Sequence, residues 1–212
     1  MPVKELPPEL VLKLRNTYTH LEGNEKEAYR LLGRLKNIDP RNGPKAPSTN
    51  TNWYGYRVRE MNVSRQFPGT ELVLKRCHDF TAEETIKGIL KRVRTHNKKY
   101  NPKNYSLTEP KVYPIGENIV AMSKIEGISF YDWSSMGGDG GDNFDIEYKT
   151  HILRKFEKEE ITQKRISKAS EEIRTNFESV DFDYDEGDIV ANMIIYGRRG
   201  NKLLVVPAID MY

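Results

Sequence analysis

The chain has 212 residues, of which 37% are hydrophobic, 31% charged and 10% aromatic, and its 34 basic and 31 acidic residues leave a net charge of +3. That length can bury a real core as one domain or a compact two-lobed unit, the aromatic content excludes general disorder, and the charge is too small to argue a nucleic-acid partner by itself. The single cysteine, Cys77, excludes an intramolecular disulfide framework and a paired-cysteine zinc site; no apolar run approaches the roughly 20 residues that span a bilayer and the N-terminus lacks a signal-peptide core, so a cytoplasmic protein without membrane contact is expected.

Residues 8–37 read as a helical hairpin. Pro7-Pro8 opens its first helix, Leu10, Leu14 and Tyr18 recur at helical spacing, Gly23-Asn24 breaks the pattern, and Tyr29, Leu32 and Leu35 resume it. Residues 39–52, DPRNGPKAPSTNTN, contain turn formers and no apolar period, which marks a linker. Residues 53–67 place aromatic and β-branched side chains in partial alternation and suggest one or two strands. The next strand, TELVLKRC, carries Lys75 in its middle. An ammonium without water or a partner costs several kcal/mol, so Lys75 calls for a carboxylate.

Thr81 and Glu84 have the spacing of a capping box, and Ile86, Ile89, Leu90 and Val93 form the apolar stripe of the helix that follows. Residues 110–129, PKVYPIGENIVAMSKIEGIS, read as a strand, a turn at 116–118 and a strand running to Glu126-Gly127. After Trp133 the run SSMGGDGGDNF is flexible by composition. Residues 157–177 predict one helix with Ile161, Ile166, Ala169, Ile173 and Phe177 buried. An acidic loop, ESVDFDYDEGD, then leads to IVANMIIYG, the turn RRGN and KLLVVPAID, a β-hairpin. The basic run 87–103 and the acidic run 178–188 read as solvated faces or loops, and His20, His78, His96 and His151 have no metal-ligand spacing.

A strand with a lysine, a helix with acids, two strands, a crossing segment, a long helix and a hairpin ending in Ile-Asp resembles the protein-kinase-like fold. In detail, residues 53–212 look most like the small atypical kinases related to the RIO and KEOPS-complex kinases and the aminoglycoside phosphotransferases. The resemblance implies an α+β fold: a helical extension at 1–38, a linker at 39–52, a kinase-like N-lobe at 53–133 and a minimal, truncated C-lobe at 134–212. It implies ATP and Mg²⁺ as cofactors, and a protein as partner or substrate. Lys75 would hold the nucleotide phosphates and be held in turn by Glu83 or Glu84, because a mobile ammonium positions nothing; the segment from Met122 to Glu126 would face the adenine. In EGDIVANMII, Asp188 would orient the accepting hydroxyl and Asn192 bind metal, with Asp210 as the second metal-binding aspartate. The interval from Asp188 to Asn192 is one residue shorter than the family's, and Glu186 stands where the family has His.

A different chemistry is written in DNFDIEYK. Asp142, Asp145 and the triplet Glu147-Tyr148-Lys149 match the acid-x-lysine pattern of Mg²⁺-dependent nucleases of the restriction-endonuclease-like superfamily acting on DNA, with the basic helix from Lys87 to Lys99 to contact phosphates. A third expectation is a pseudokinase that acts as a non-catalytic protein-interaction module.

Overall fold

The computed structural model describes residues 3–19, 58–62, 67, 70–77, 80–135, 146–178 and 193–207; within them the side chains at 18, 58–62, 71, 75–76, 131–132, 135, 146–149 and 178 are left out. The second N-terminal helix, the linker, the glycine-rich run from residue 136 and the acidic loop all lie outside the described residues. The fold is mixed α+β, and the chain divides into two compact units: Val3–Gly88 with Lys111–Lys124, and Ile89–Pro110 with Ile125–Tyr212.

The first unit is built on an antiparallel sheet of β1 (Val58–Asn62), β2 (Glu71–Arg76), β4 (Val112–Gly116) and β5 (Ile119–Ser123), in the order β1-β2-β5-β4. Helix α1 (Pro8–Thr19) covers one face. Pro8 suits a first helical position, where no N–H is needed, and the helix closes on the Pro7 carbonyl through Val11 N at 3.1 Å. Leu6, Leu10, Val11 and Leu14 then meet Leu72, Leu74, Ile115, Ile119 and Ala121 in one apolar layer. Each such side chain stabilises by roughly 1.5–3 kcal/mol when fully buried. The described part of the expected helical extension therefore shares the core of the sheet. Arg15 Nε donates to the Pro114 carbonyl at 2.8 Å, and Lys111 pairs with Glu5 at 3.1 Å, which fastens both ends of α1. Pro114 is tolerated in β4 because β4 is an edge strand, irregular in register between Pro114 and Gly116. The strand expected to reach Glu126 ends at Ser123.

Helix α2 (Ala82–Tyr100) begins with the expected capping box: Thr81 N and Oγ1 donate to Glu84 Oε2 at 2.9 and 2.8 Å, and Glu84 N donates back to Thr81 Oγ1 at 3.2 Å. Its buried face is Ala82, Thr85, Ile89, Val93 and His96, while Ile86 and Leu90 of the predicted stripe are only half-buried. It ends at Asn101, whose φ of 41° is the left-handed conformation Asn tolerates, followed by Pro102.

The second unit holds β3 (Tyr105–Leu107), β6 (Ile128–Ser129), β7 (Ile194–Arg199) and β8 (Lys202–Val206), ordered β3-β8-β7-β6. β7 and β8 form the predicted hairpin. Its two-residue loop starts with Gly200 at φ +59°, as hairpins of this length require. The unforeseen β3 runs parallel to β8, bracketed by Leu203 N to Asn104 O and Thr108 N to Val205 O, both 2.8 Å. Helix α3 (Phe130–Ser135) follows β6. The single helix expected over 157–177 is two, α4 (Ile146–Lys158) and α5 (Gln163–Glu178). Between them Glu160 takes φ 53°, with Glu160 N bonded to Glu157 O at 3.0 Å and Ile161 N to Phe156 O at 2.8 Å. This is a Schellman cap, and Ile161 and Phe156, the two positions whose apolar side chains usually accompany it, are both buried.

Candidate functional site

Lys75 lies on an interior strand, its backbone in register with Val58 of β1 on one side and Val120 of β5 on the other; its side chain is outside the described set. The two acids proposed to hold it have other partners. Glu84's carboxylate closes the capping box, and the main-chain N–H and hydroxyl of Thr81 hold its pKa below the usual carboxylate value. Glu83 lies 3.7 Å from Lys87 one turn on, both side chains well exposed. Met122 is buried in β5, in register with Val73 and Val112. The next residue, Ser123, has a buried hydroxyl with no hydrogen-bond partner among the described residues. Strand alternation puts it on the α1 face with Ala121, away from Met122.

In the second unit Glu126 sits in a small polar cluster. His151 Nε2 bonds its carboxylate, and the Lys155 ammonium donates to its main-chain carbonyl at 2.7 Å, lying 3.9 Å from its second carboxylate oxygen. His151 and Lys155 are one turn apart on α4, so a single helix face supplies both groups. This cluster was missed because the helix carrying it was not read. Asp188, Asn192 and Asp210 lie outside the described residues, as do Asp142 and Asp145. The backbone of Glu147 and Lys149 falls in α4, and their side chains are outside the described set.

A second polar cluster is buried. His96 Nε2 lies 2.5 Å from Tyr105 Oη, which also accepts from Asn176 Nδ2 at 2.9 Å, and the imidazole stacks on Phe177 with ring centroids 4.6 Å apart. Which of His96 Nε2 and Tyr105 Oη donates is set by the imidazole tautomer, and the phenol oxygen can accept from Asn176 in either case. Burial first, and Lys99 second, lower the His96 pKa to about 4. Nearby, Glu172 accepts from the Lys103 and Asn104 main-chain N–H groups at 2.7 and 2.8 Å. A cleft of about 380 Å³ opens between α3 and α5, lined by Phe130, Trp133 and Ile166 among others, with Trp133 Nε1 donating to Gln163 Oε1 at 2.6 Å. None of the predicted site residues lines it.

Among the described residues no group of three or more His, Cys, Asp or Glu is placed to hold a metal ion, and no helix is long and apolar enough to cross a membrane. No protein-family model matches the chain, and comparison with curated proteins and with solved structures gave no match.

Proposed function

We propose that the chain is a kinase-like nucleotide-binding protein, either a minimal ATP- and Mg²⁺-dependent phosphotransferase or a pseudokinase that has kept the nucleotide site. The observation that supports this reading is the order of elements around Lys75. Its strand is interior and antiparallel to β5, α2 departs from it, and β5 leads straight into the segment from Lys124 to Gly127. The β7–β8 hairpin, lying in sequence between Asn192 and Asp210, is the matching feature later in the chain. In this reading Lys75 binds the phosphates, Met122 and Glu126 bracket the adenine-facing segment, Asp188 orients the acceptor, and Asn192 and Asp210 hold Mg²⁺. Because Glu84 caps its helix and Glu83 faces Lys87, release of one of these acids toward Lys75 would have to accompany nucleotide binding.

The test is thermal unfolding of the full chain with and without MgATP. Nucleotide at about ten times its Kd contributes about 1.4 kcal/mol, a rise of roughly 3–6 °C for a chain of this size. Lys75→Ala should keep the apo melting temperature and lose most of that rise. No shift at millimolar MgATP would sink the nucleotide-binding reading.

A further inference from the structure

Residues 85–108 carry seven basic side chains and not one acid, in a chain whose charges are otherwise nearly balanced. Most of the stretch is α2. Lys91, Arg94 and Lys98 recur along one exposed side of that helix with Lys99 beside them, a stripe about 10 Å long at 1.5 Å per residue. The opposite side is fixed in the protein, with Ile89, Val93 and His96 buried. Arg94 is held by Glu109 at 2.6 Å, but among the described residues no ion pair engages Lys91, Lys98 or Lys99; Lys99 lies 4.7 Å over the Tyr100 ring. The helix dipole accounts for basic groups in the last turn, where Lys98 and Lys99 stand, but not for Lys91 in mid-helix. Helix α5 shows the ordinary alternative, its basic Lys164, Arg165, Lys168 and Arg174 interspersed with the acids Glu171 and Glu172.

We propose that the exposed face of α2 binds the phosphodiester backbone of a nucleic acid through Lys91, Lys98 and Lys99, without reading base sequence. The composition of the face selects this class of partner. A membrane-binding helix needs apolar residues free to insert, whereas in α2 Ile89 and Val93 are buried and Ile86 and Leu90 half-buried. A protein interface needs aromatic or aliphatic anchors at its centre, and among the described residues the exposed large apolar side chains, Leu12, Phe80 and Leu153, all lie off this helix. A regular row of cations alone suffices for a polyphosphate chain, whose binding is driven by release of counterions. The inference stands apart from the nucleotide site and survives or fails without it.

The full chain is titrated against fluorescein-labelled single-stranded and duplex oligonucleotides of mixed sequence by fluorescence anisotropy, between about 50 and 200 mM salt. Three phosphate contacts predict a slope of log K against log salt of about −2 for single strands and nearer −3 for duplex. Lys91→Gln/Lys98→Gln/Lys99→Gln should weaken binding at least about tenfold at the lower salt and flatten that slope. The control Lys158→Gln/Lys164→Gln/Lys168→Gln removes the same charge from α4 and α5 and should stay within about twofold of wild type. Circular dichroism melting confirms that both variants are folded. No binding at low salt, or equal loss in both variants, overturns the proposal. Equal or tighter binding of poly-glutamate or anionic vesicles through the same lysines assigns the face to another partner and overturns it as well.

Discussion

The two units bury their interiors by different means. Under α1 the sheet meets a layer of Leu, Val, Ile and Ala, with Tyr113 and Phe67 at its margin. The second unit places a His–Tyr–Asn network inside, lets a backbone approach a backbone at Gly127, and turns a helix end through Glu160. Apolar layers are held by area and volume, so changes that conserve both are absorbed; networks and close approaches are held by particular atoms, so small changes are not.

The largest expected effect exploits this difference. A Cβ at Gly127 would stand 2.2 Å from the Ile195 carbonyl oxygen and 2.8 Å from Ile194 Cγ2. The obstacle is main chain, and the neighbouring Ile128–Ile195 pair joins β6 to β7, so relief requires moving a strand. Gly127→Ala should cost about 3 kcal/mol or more by denaturant unfolding. The contrasting change under α1, Leu14→Met at a fully buried position, should cost less than about 1.5 kcal/mol. Equal costs for the two would erase the distinction between the units.

Next in size is a pH dependence peculiar to the second unit. The His96 pKa falls from its ordinary value of 6.5 to about 4 through burial and then Lys99. The folded state therefore binds fewer protons than the unfolded one between these values, and stability is full above pH 6.5 and declines as pH falls toward 4. The shift corresponds to about 3 kcal/mol, nearer 2 kcal/mol once residual solvent screening is allowed. His96→Phe should flatten the slope between pH 6.5 and 4. Tyr105→Phe, which strips His96 Nε2 and Asn176 Nδ2 of their common partner, should cost about 1–3 kcal/mol at neutral pH. An unchanged slope in His96→Phe would place the titrating group elsewhere.

The first unit was also the more legible in sequence, for the same physical reason. The α1 pattern, the strand around Lys75, the Thr81–Glu84 capping box and the β4–β5 turn are local signals, and each sits where the sequence put it. The second unit's hairpin and the buried series Ile161, Ile166, Ala169, Ile173 and Phe177 were local too. What escaped depended on distant partners. The three residues of β3 are a strand only because β8, about a hundred positions later, pairs with them. His96 has no metal-ligand spacing, and its role appears only when Tyr105 and Asn176 are beside it. The Glu126–His151–Lys155 cluster required knowing that α4 exists. The proposed catalytic residues Asp188, Asn192 and Asp210 rest on motif alone.

The break between α4 and α5 yields the smallest effect and a sharp sign. No glycine or proline marks it, and the run KEEITQK favours a continuous helix, which is why 157–177 read as one element. In the fold Glu160 instead takes φ 53° and its carboxylate lies 3.0 Å from Arg198 Nη2. A left-handed residue with a Cβ costs about 1–2 kcal/mol, whereas an ion pair exposed on its acidic side returns at most about 1 kcal/mol. Glu160→Gly relieves the strain and loses the pair, so it should match or exceed wild type by up to about 1 kcal/mol. Glu160→Ala keeps the strain and loses the pair, so it should be the less stable of the two. In a continuous helix the order reverses, because alanine there exceeds glycine by about 1 kcal/mol. Thermal melts of the two variants side by side therefore decide whether the chain at Glu160 follows its local propensity or the Schellman cap built by Phe156 and Ile161.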